Sequence, residues 1–307
     1  MHTGNKSKQP RVSVARESEL TDLADCVIEA HCENDRIEPD RIVRAKGIEL
    51  IYDRYENAFD GLIECMGDRF YIHCNLDREN LPGSPRGRFT LAHELGHYFI
   101  DEHRNSLLSG TVKPHPSLTD SIDRNLYIER EADFFASRLL MPESRFRSAI
   151  RKATLGLPGV VSIADQFAVS ISCAAIRVVT SETFPCAVIK WSRNGFCWKW
   201  CSRAFWTMGY RKTITTLQRV PELAATKLAL NGADASKGVI QTGTTASFWF
   251  PAVGLKHPRN IPLMEQSLSL GKHGAITLLV PLKGCFPKEL EAFRDYELET
   301  DEYRLGD

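Results

Sequence analysis

Five consecutive residues carry the pattern of metal-assisted hydrolysis. His93, Glu94, Leu95, Gly96 and His97 read as H-E-x-x-H within RFTLAHELGHYFIDEH, residues 88–103. On an α-helix, residues four apart share a face about one turn along the axis. Two imidazoles so placed can hold one divalent ion, and His/Glu ligation suits zinc (Zn2+). Glu94, beside the first histidine, then faces the open coordination position and can take a proton from the attacking water. Phe89, Ala92, Phe99 and Ile100 give this helix an apolar side to bury. Gly96, costly inside a helix, points to close packing against a neighbour or the metal site.

A catalytic zinc takes a third protein ligand and leaves the fourth position open. Two residues compete for the role. His103 lies six residues after His97, the spacing of H-E-x-x-H-x-x-G-x-x-H. Ile100 stands where that pattern turns on glycine, and a β-branched residue resists such a turn. The favoured candidate is Glu129, in Glu129-Arg130-Glu131-Ala132-Asp133. Glu129 and Asp133 are four apart, so Glu129 can reach the metal while Asp133 accepts the other N–H of a ligand histidine and fixes its tautomer. Glu131 points elsewhere on that helix, and an alternative register stays open. The sequence does not name the group that stabilises the oxyanion; Tyr127 and His115 are candidates.

The elements around these residues are readable in outline. Residues 1–17 form a polar tail expected to be disordered. From Ser18 a helix carries Leu20, Leu23, Ala24, Val27, Ile28 and His31 on one stripe. A short helix opens at Pro39 and stops at Gly47, followed by a strand over Ile48–Asp53. Leu62–Cys65 and Arg69–Cys74 flank Gly67-Asp68 as a hairpin. Residues 76–87 are a Pro/Gly-rich loop leading into the His93 helix. After His103 the chain reads as a long loop to Asp123, which suits a lid or substrate clamp as well as a surface insertion. Asn125–Met141 is a helix, and Pro142 opens another through Ala153.

Residues 161–180 (VSIADQFAVSISCAAIRVVT) have the shape of a helix-turn-helix with its turn near Val169-Ser170. Only Arg177 and Lys190 lie near the candidate recognition helix, too few cations for phosphate contacts, so direct nucleic-acid binding is not expected. Residues 183–287 are a β-rich, possible sensor domain, with strands at 186–191, 196–201, 238–250 and 274–281. Its cluster of Phe196, Trp198, Trp200, Phe205 and Trp206 reads as core before ligand platform. Residues 288–307 form an acidic tail, helical at first.

Composition sets the class. The chain has 307 residues, 39 Lys+Arg against 39 Asp+Glu, and 43% apolar residues, which argues against a globally basic nucleic-acid binder. No apolar run reaches a membrane span, and the first residues show no secretory signal. The nine cysteines are an odd number without framework spacing, as in a reduced, cytoplasmic protein. Cys197 and Cys201 are spaced like half of a zinc site, but with no second pair nearby they read as structural or incidental. Helices feeding a small sheet and a metal-binding helix make this an α+β chain.

RFTLAHELGHYF followed by EREADFFASRLLMP resembles the ImmA/IrrE family of zinc metallopeptidases. The similarity extends upstream through residues 42–75, downstream through IADQFAVSISCAAIR, and to the terminal GAITLLVPL. The resemblance implies a zincin-like metallopeptidase domain over 18–182, with a gluzincin-like site: His93, His97 and Glu129 as metal ligands, Glu94 as base, Asp133 as the partner of a ligand histidine. It implies a protein substrate, a helix-turn-helix repressor in a stress or mobile-element response. Many relatives carry their own N-terminal helix-turn-helix; residues 1–50 show none, so the repressor is expected to be a separate protein. The rival function is a ligand-sensing regulator whose zinc site is structural or vestigial.

Overall fold

The computed structural model describes residues 12–31, 36–110, 127–210, 213–232, 238–251 and 260–282. The chain divides into two units. One comprises residues 1–149 with 165–170, the other 150–164 with 171–307. Helix and sheet are mixed in both, an α+β chain as expected. His115, most of the expected lid and the acidic tail lie outside the described residues.

In the first unit, helix α1 (Val14–His31) buries Leu20, Ala24, Val27 and Ile28, the stripe read from sequence. It begins one turn before Ser18 because Ser13 caps it, its hydroxyl accepting from Arg16 N at 3.3 Å. Helix α2 (Pro39–Ala45) has Pro39 in its first turn, and Gly47 follows it at φ +66°, a left-handed conformation that ends the helix. Strands β1 (Glu49–Asp53), β2 (Gly61–Met66) and β3 (Arg69–Asn75) form a sheet in the order β1-β3-β2. β2 and β3 are the antiparallel hairpin, while β1 runs parallel to β3. Gly61 and Ile63 of β2 and Phe70, Ile72 and Cys74 of β3 are buried, the alternation of a one-sided sheet. Phe70 meets Tyr98 of the next helix edge-on, with ring centroids 5.0 Å apart.

That helix, α3 (Pro85–Phe99), carries H-E-x-x-H and is buried almost throughout from Gly87 to His97. Ser84 caps it, accepting from Gly87 N at 3.0 Å, and Pro85 takes the first helical position. It therefore starts inside the stretch expected to be loop. Arg88, nearly fully buried, pins its first turn: Nη1 donates to Glu38 at 2.9 Å, Nε to the Ala168 carbonyl at 3.1 Å and Nη2 to the Phe167 carbonyl at 3.4 Å. Thr90 Oγ1 donates to Asn80 Oδ1 at 2.7 Å, and the Asn80 amide donates in turn to the carbonyls of Asp60 and Asn75. The helix is thus tied to the start of β2.

α3 ends at Ile100, which adopts φ −75°, ψ 112°. This extended conformation is easy for a β-branched residue, so the chain turns without glycine and a new helix, α4 (Asp101–Leu108), follows and runs into the stretch after His103 that was expected to be loop. α5 (Tyr127–Leu140) crosses α3 at Gly96, where an added Cβ would lie 3.0 Å from Ala132 Cα. The close packing expected of Gly96 is against this neighbour. α6 (Glu143–Lys152) completes the series.

The helix-turn-helix-like segment is α7 (Leu157–Phe167) and α8 (Ile171–Thr180); its turn, 165–170, groups with the first unit and the rest with the second. Arg177, the one cation of α8, is buried. The second unit's sheet comprises β4 (Ala187–Ser192), β5 (Gly195–Cys201), β6 (Ile240–Thr245), β7 (Pro262–Ser269) and β8 (Ala275–Pro281), ordered β5-β4-β8-β7-β6 and antiparallel throughout. Short helices α9 (Arg203–Thr207), α10 (Ala225–Asn231) and α11 (Ala246–Trp249) accompany it. Trp191, Trp249, Phe205, Tyr210 and Phe250 form its core, against which Phe196 packs. Trp198, Trp200 and Trp206 are half-buried. The seven cysteines among the described residues are free thiols. Among those residues no single helix is long and apolar enough to cross a membrane.

Candidate metal centre

α3 and α5 meet with their polar positions facing. His93 and His97 lie one turn apart on α3 and are nearly fully buried; Glu129 comes from the first turn of α5. His93 Nε2 lies 3.2 Å from Glu129 Oε2, His97 Nε2 lies 3.4 Å from Glu129 Oε1, and the two Nε2 atoms are 3.2 Å apart. All three donor atoms fall within 4.8 Å of one another, a group able to hold a metal ion. Glu129 Oε1 is buried with no hydrogen-bond partner. Two imidazoles and a carboxylate brought this close are the donor types of a divalent-metal site, so the residues fit an ion.

Asp133, one turn after Glu129, holds His93 Nδ1 at 3.0 Å. The ring's other nitrogen is thereby left to face Glu129 and His97. His103 is not in the metal-facing group. Its ring lies 5.1 Å from that of His97, but its Nε2 meets Glu131 Oε2 at 3.1 Å. Glu131, expected to point away, does so into the interior, where Arg16 of α1 holds both its oxygens. Neither Arg16 nor Glu131 was legible as part of the site: the first lies in the stretch expected to be disordered, the second off the Glu129–Asp133 face. Tyr127 is half-exposed at the head of α5, where it leans on Glu131.

Glu94 is fully buried beside the edge of the sheet. Gly61, at the start of β2, is the residue against it: a Cβ there would fall 2.6 Å from Glu94 Oε1 and 2.5 Å from Thr90 Cγ2. A Gly61→Ala protein is expected to retain bound metal and to lose about 10–100-fold in turnover, because a displacement near 1 Å at a reacting group costs that much. Metal content beside kcat checks it. The signal available in sequence was a glycine at the first position of a strand, which reads as a hairpin boundary instead.

Electrostatics divide the site. Burial alone would lower the His93 pKa, but hydrogen bonds to Asp133 and Glu129 and the nearby carboxylates outweigh it and raise it from 6.5 to about 10. Burial opposes ionisation of Glu129 too, yet the two histidines hold its carboxyl below the usual range. Burial, then the neighbouring His97, push His103 down to about 4. In protein stripped of metal, the stability contributed by charged His93 is fully present below pH 6.5 and is lost as pH rises through about 10. Metal uptake has to displace that proton. Calorimetry in buffers of different ionisation enthalpy is expected to register about one proton released near pH 7, and apparent affinity is expected to rise with pH.

Residues 80–179 match the Peptidase M78 family, described as an IrrE N-terminal-like domain. The matched segment contains His93, Glu94, His97, Glu129 and Asp133, and bears out the similarity to the ImmA/IrrE family over that stretch. No curated protein matches the chain. A solved structure of a Mycobacterium tuberculosis transcriptional regulator matches with a TM-score of 0.60 at 15% identity, covering 95% of this chain and 83% of that one. At that identity the likeness is one of fold.

Proposed function

With residues 80–179 an ImmA/IrrE-family domain, we propose that the chain is a zinc-dependent endopeptidase cleaving a separate helix-turn-helix repressor in the cytoplasm. The observation that carries this reading is the convergence of His93, His97 and Glu129 within 4.8 Å, next to the buried Glu94. A zinc ion held there would polarise the scissile carbonyl and acidify water. Glu94 would take a proton from the attacking water and pass it to the leaving amine. Asp133 keeps His93 in the tautomer that presents Nε2. Gly61 leaves room for the Glu94 carboxylate.

The rival, a regulator with a structural zinc, calls for a closed site of four protein ligands. Three residues form the group found among those described, with His103 engaged by Glu131 instead. This favours catalysis. The repressor substrate follows from the family resemblance, and α8, whose one cation is buried, offers no basic face of its own. Incubating the zinc-loaded protein with candidate helix-turn-helix repressors and mapping products by mass spectrometry is expected to yield discrete, chelator-sensitive cuts. Intact repressors under zinc-replete conditions would count against this substrate class.

A further inference from the structure

Behind the metal-facing group lies a second buried cluster. Arg16 places Nε and Nη2 on Oε1 and Oε2 of Glu131, each at 2.9 Å. Both oxygens of this carboxylate accept from the guanidinium. The 3.1 Å bond between Glu131 Oε2 and His103 Nε2 is therefore donated by His103. Nε2 carries the hydrogen, and Nδ1 is left with a lone pair. That Nδ1 is buried and has no hydrogen-bond partner. Beside it, at a ring-centroid distance of 5.1 Å, is His97. His97 turns Nε2 towards Glu129 and His93, so its Nδ1 is the N–H, and no described residue accepts from it. His93 differs: its Nδ1 is held by Asp133.

A buried acceptor without a donor and a neighbouring N–H without an acceptor complement each other. We propose that His103 is the positioning residue of His97, as Asp133 is of His93: its Nδ1 takes the His97 Nδ1 hydrogen through one bridging water. The Arg16–Glu131 pair sets the tautomer that makes His103 an acceptor. α1 thereby enters the metal centre from the far end of the unit's sequence. The inference rests on the reading of His97 as a metal ligand.

Three full-length variants test it. His103→Leu removes the acceptor. His103→Asn restores an acceptor oxygen near the place of Nδ1. Glu131→Gln supplies an amide that can donate to Nε2, which frees the ring to protonate Nδ1. Zinc affinity is read by competition with a chromogenic chelator, ligand geometry by the visible spectrum of the cobalt(II)-substituted protein, and folding by Tm after metal removal. His103→Leu and Glu131→Gln are expected to bind zinc about 10–100-fold more weakly with an altered cobalt spectrum, and His103→Asn to recover most of both. Should His103→Leu fail to fold, the Asn and Gln variants still decide: wild-type affinity in Glu131→Gln, or an Asn variant as weak as Gln, overturns the proposal. Wild-type affinity and spectrum in His103→Leu overturn it too. If the unmodified protein takes up neither zinc nor cobalt, the metal-site reading itself falls, an outcome distinct from tight wild-type binding unaffected at His103.

Discussion

Glu94→Gln is expected to keep its zinc and lose peptidase activity by about 10²–10⁴-fold. The amide is nearly isosteric with the carboxylate, so the packing against Gly61 and Thr90 is preserved. Glu94 belongs to no metal-facing group, and the donors His93, His97 and Glu129 are untouched. What disappears is proton acceptance, which an amide oxygen cannot supply at neutral pH. Metal analysis beside single-turnover cleavage of a repressor separates the two effects. An active Glu94→Gln protein would sink the general-base assignment, and a zinc-free one would show that Glu94 helps hold the ion.

Glu129→Ala is expected to lose the metal itself. The carboxylate faces both Nε2 atoms and is the one donor contributed by α5. Removing it leaves a two-histidine site, and the loss should exceed the roughly 10–100-fold that an orienting partner such as Asp133 commands. Asp133→Ala is the internal comparison, since it removes a bond to Nδ1 and no donor to the ion. Metal content after dialysis and chelator competition measure both. Unchanged zinc in Glu129→Ala would return the third-ligand role to another residue. His103 would be the first to examine, because its ring already stands 5.1 Å from that of His97.

The candidate metal group was legible because such chemistry demands fixed residue types at helical spacing, and both motifs are local in sequence. What surrounds it was not. Arg88 is buried under two backbone carbonyls from residues 167 and 168, a partnership that no local pattern announces. Ser84-Pro85 is a cap and a first helical position, yet it sits among prolines and glycines that read as loop. At Ile100 the sequence argued against a turn out of the helix, yet the helix ends there, by way of an extended residue that needs no glycine. β7 was invisible for a different reason. Its buried positions include Glu265, Gln266 and Ser267, and Glu265 is satisfied by Thr226 N and Oγ1, both at 2.7 Å. A strand whose inward residues are polar carries no hydrophobic alternation to detect. The stretch 238–250 likewise held two elements, since β6 gives way at Ala246 to a single helical turn.

The contact between Gly96 and Ala132 has a consequence for the ion. Gly96 adjoins His97, and Ala132 adjoins Asp133, so the place where the two helices nearly touch lies beside the candidate donors. The absence of a side chain at 96 sets how closely the candidate donors can approach: a methyl group there would meet Ala132 Cα at 3.0 Å, and the neighbouring helix would have to give by a few tenths of an ångström. Such a shift would carry Glu129 away from both imidazoles at once, widening the candidate site without altering any donor. Gly96 is thus a spacer of zero thickness, and the spacing of the three candidate donors depends on that missing methyl as much as on the donors themselves.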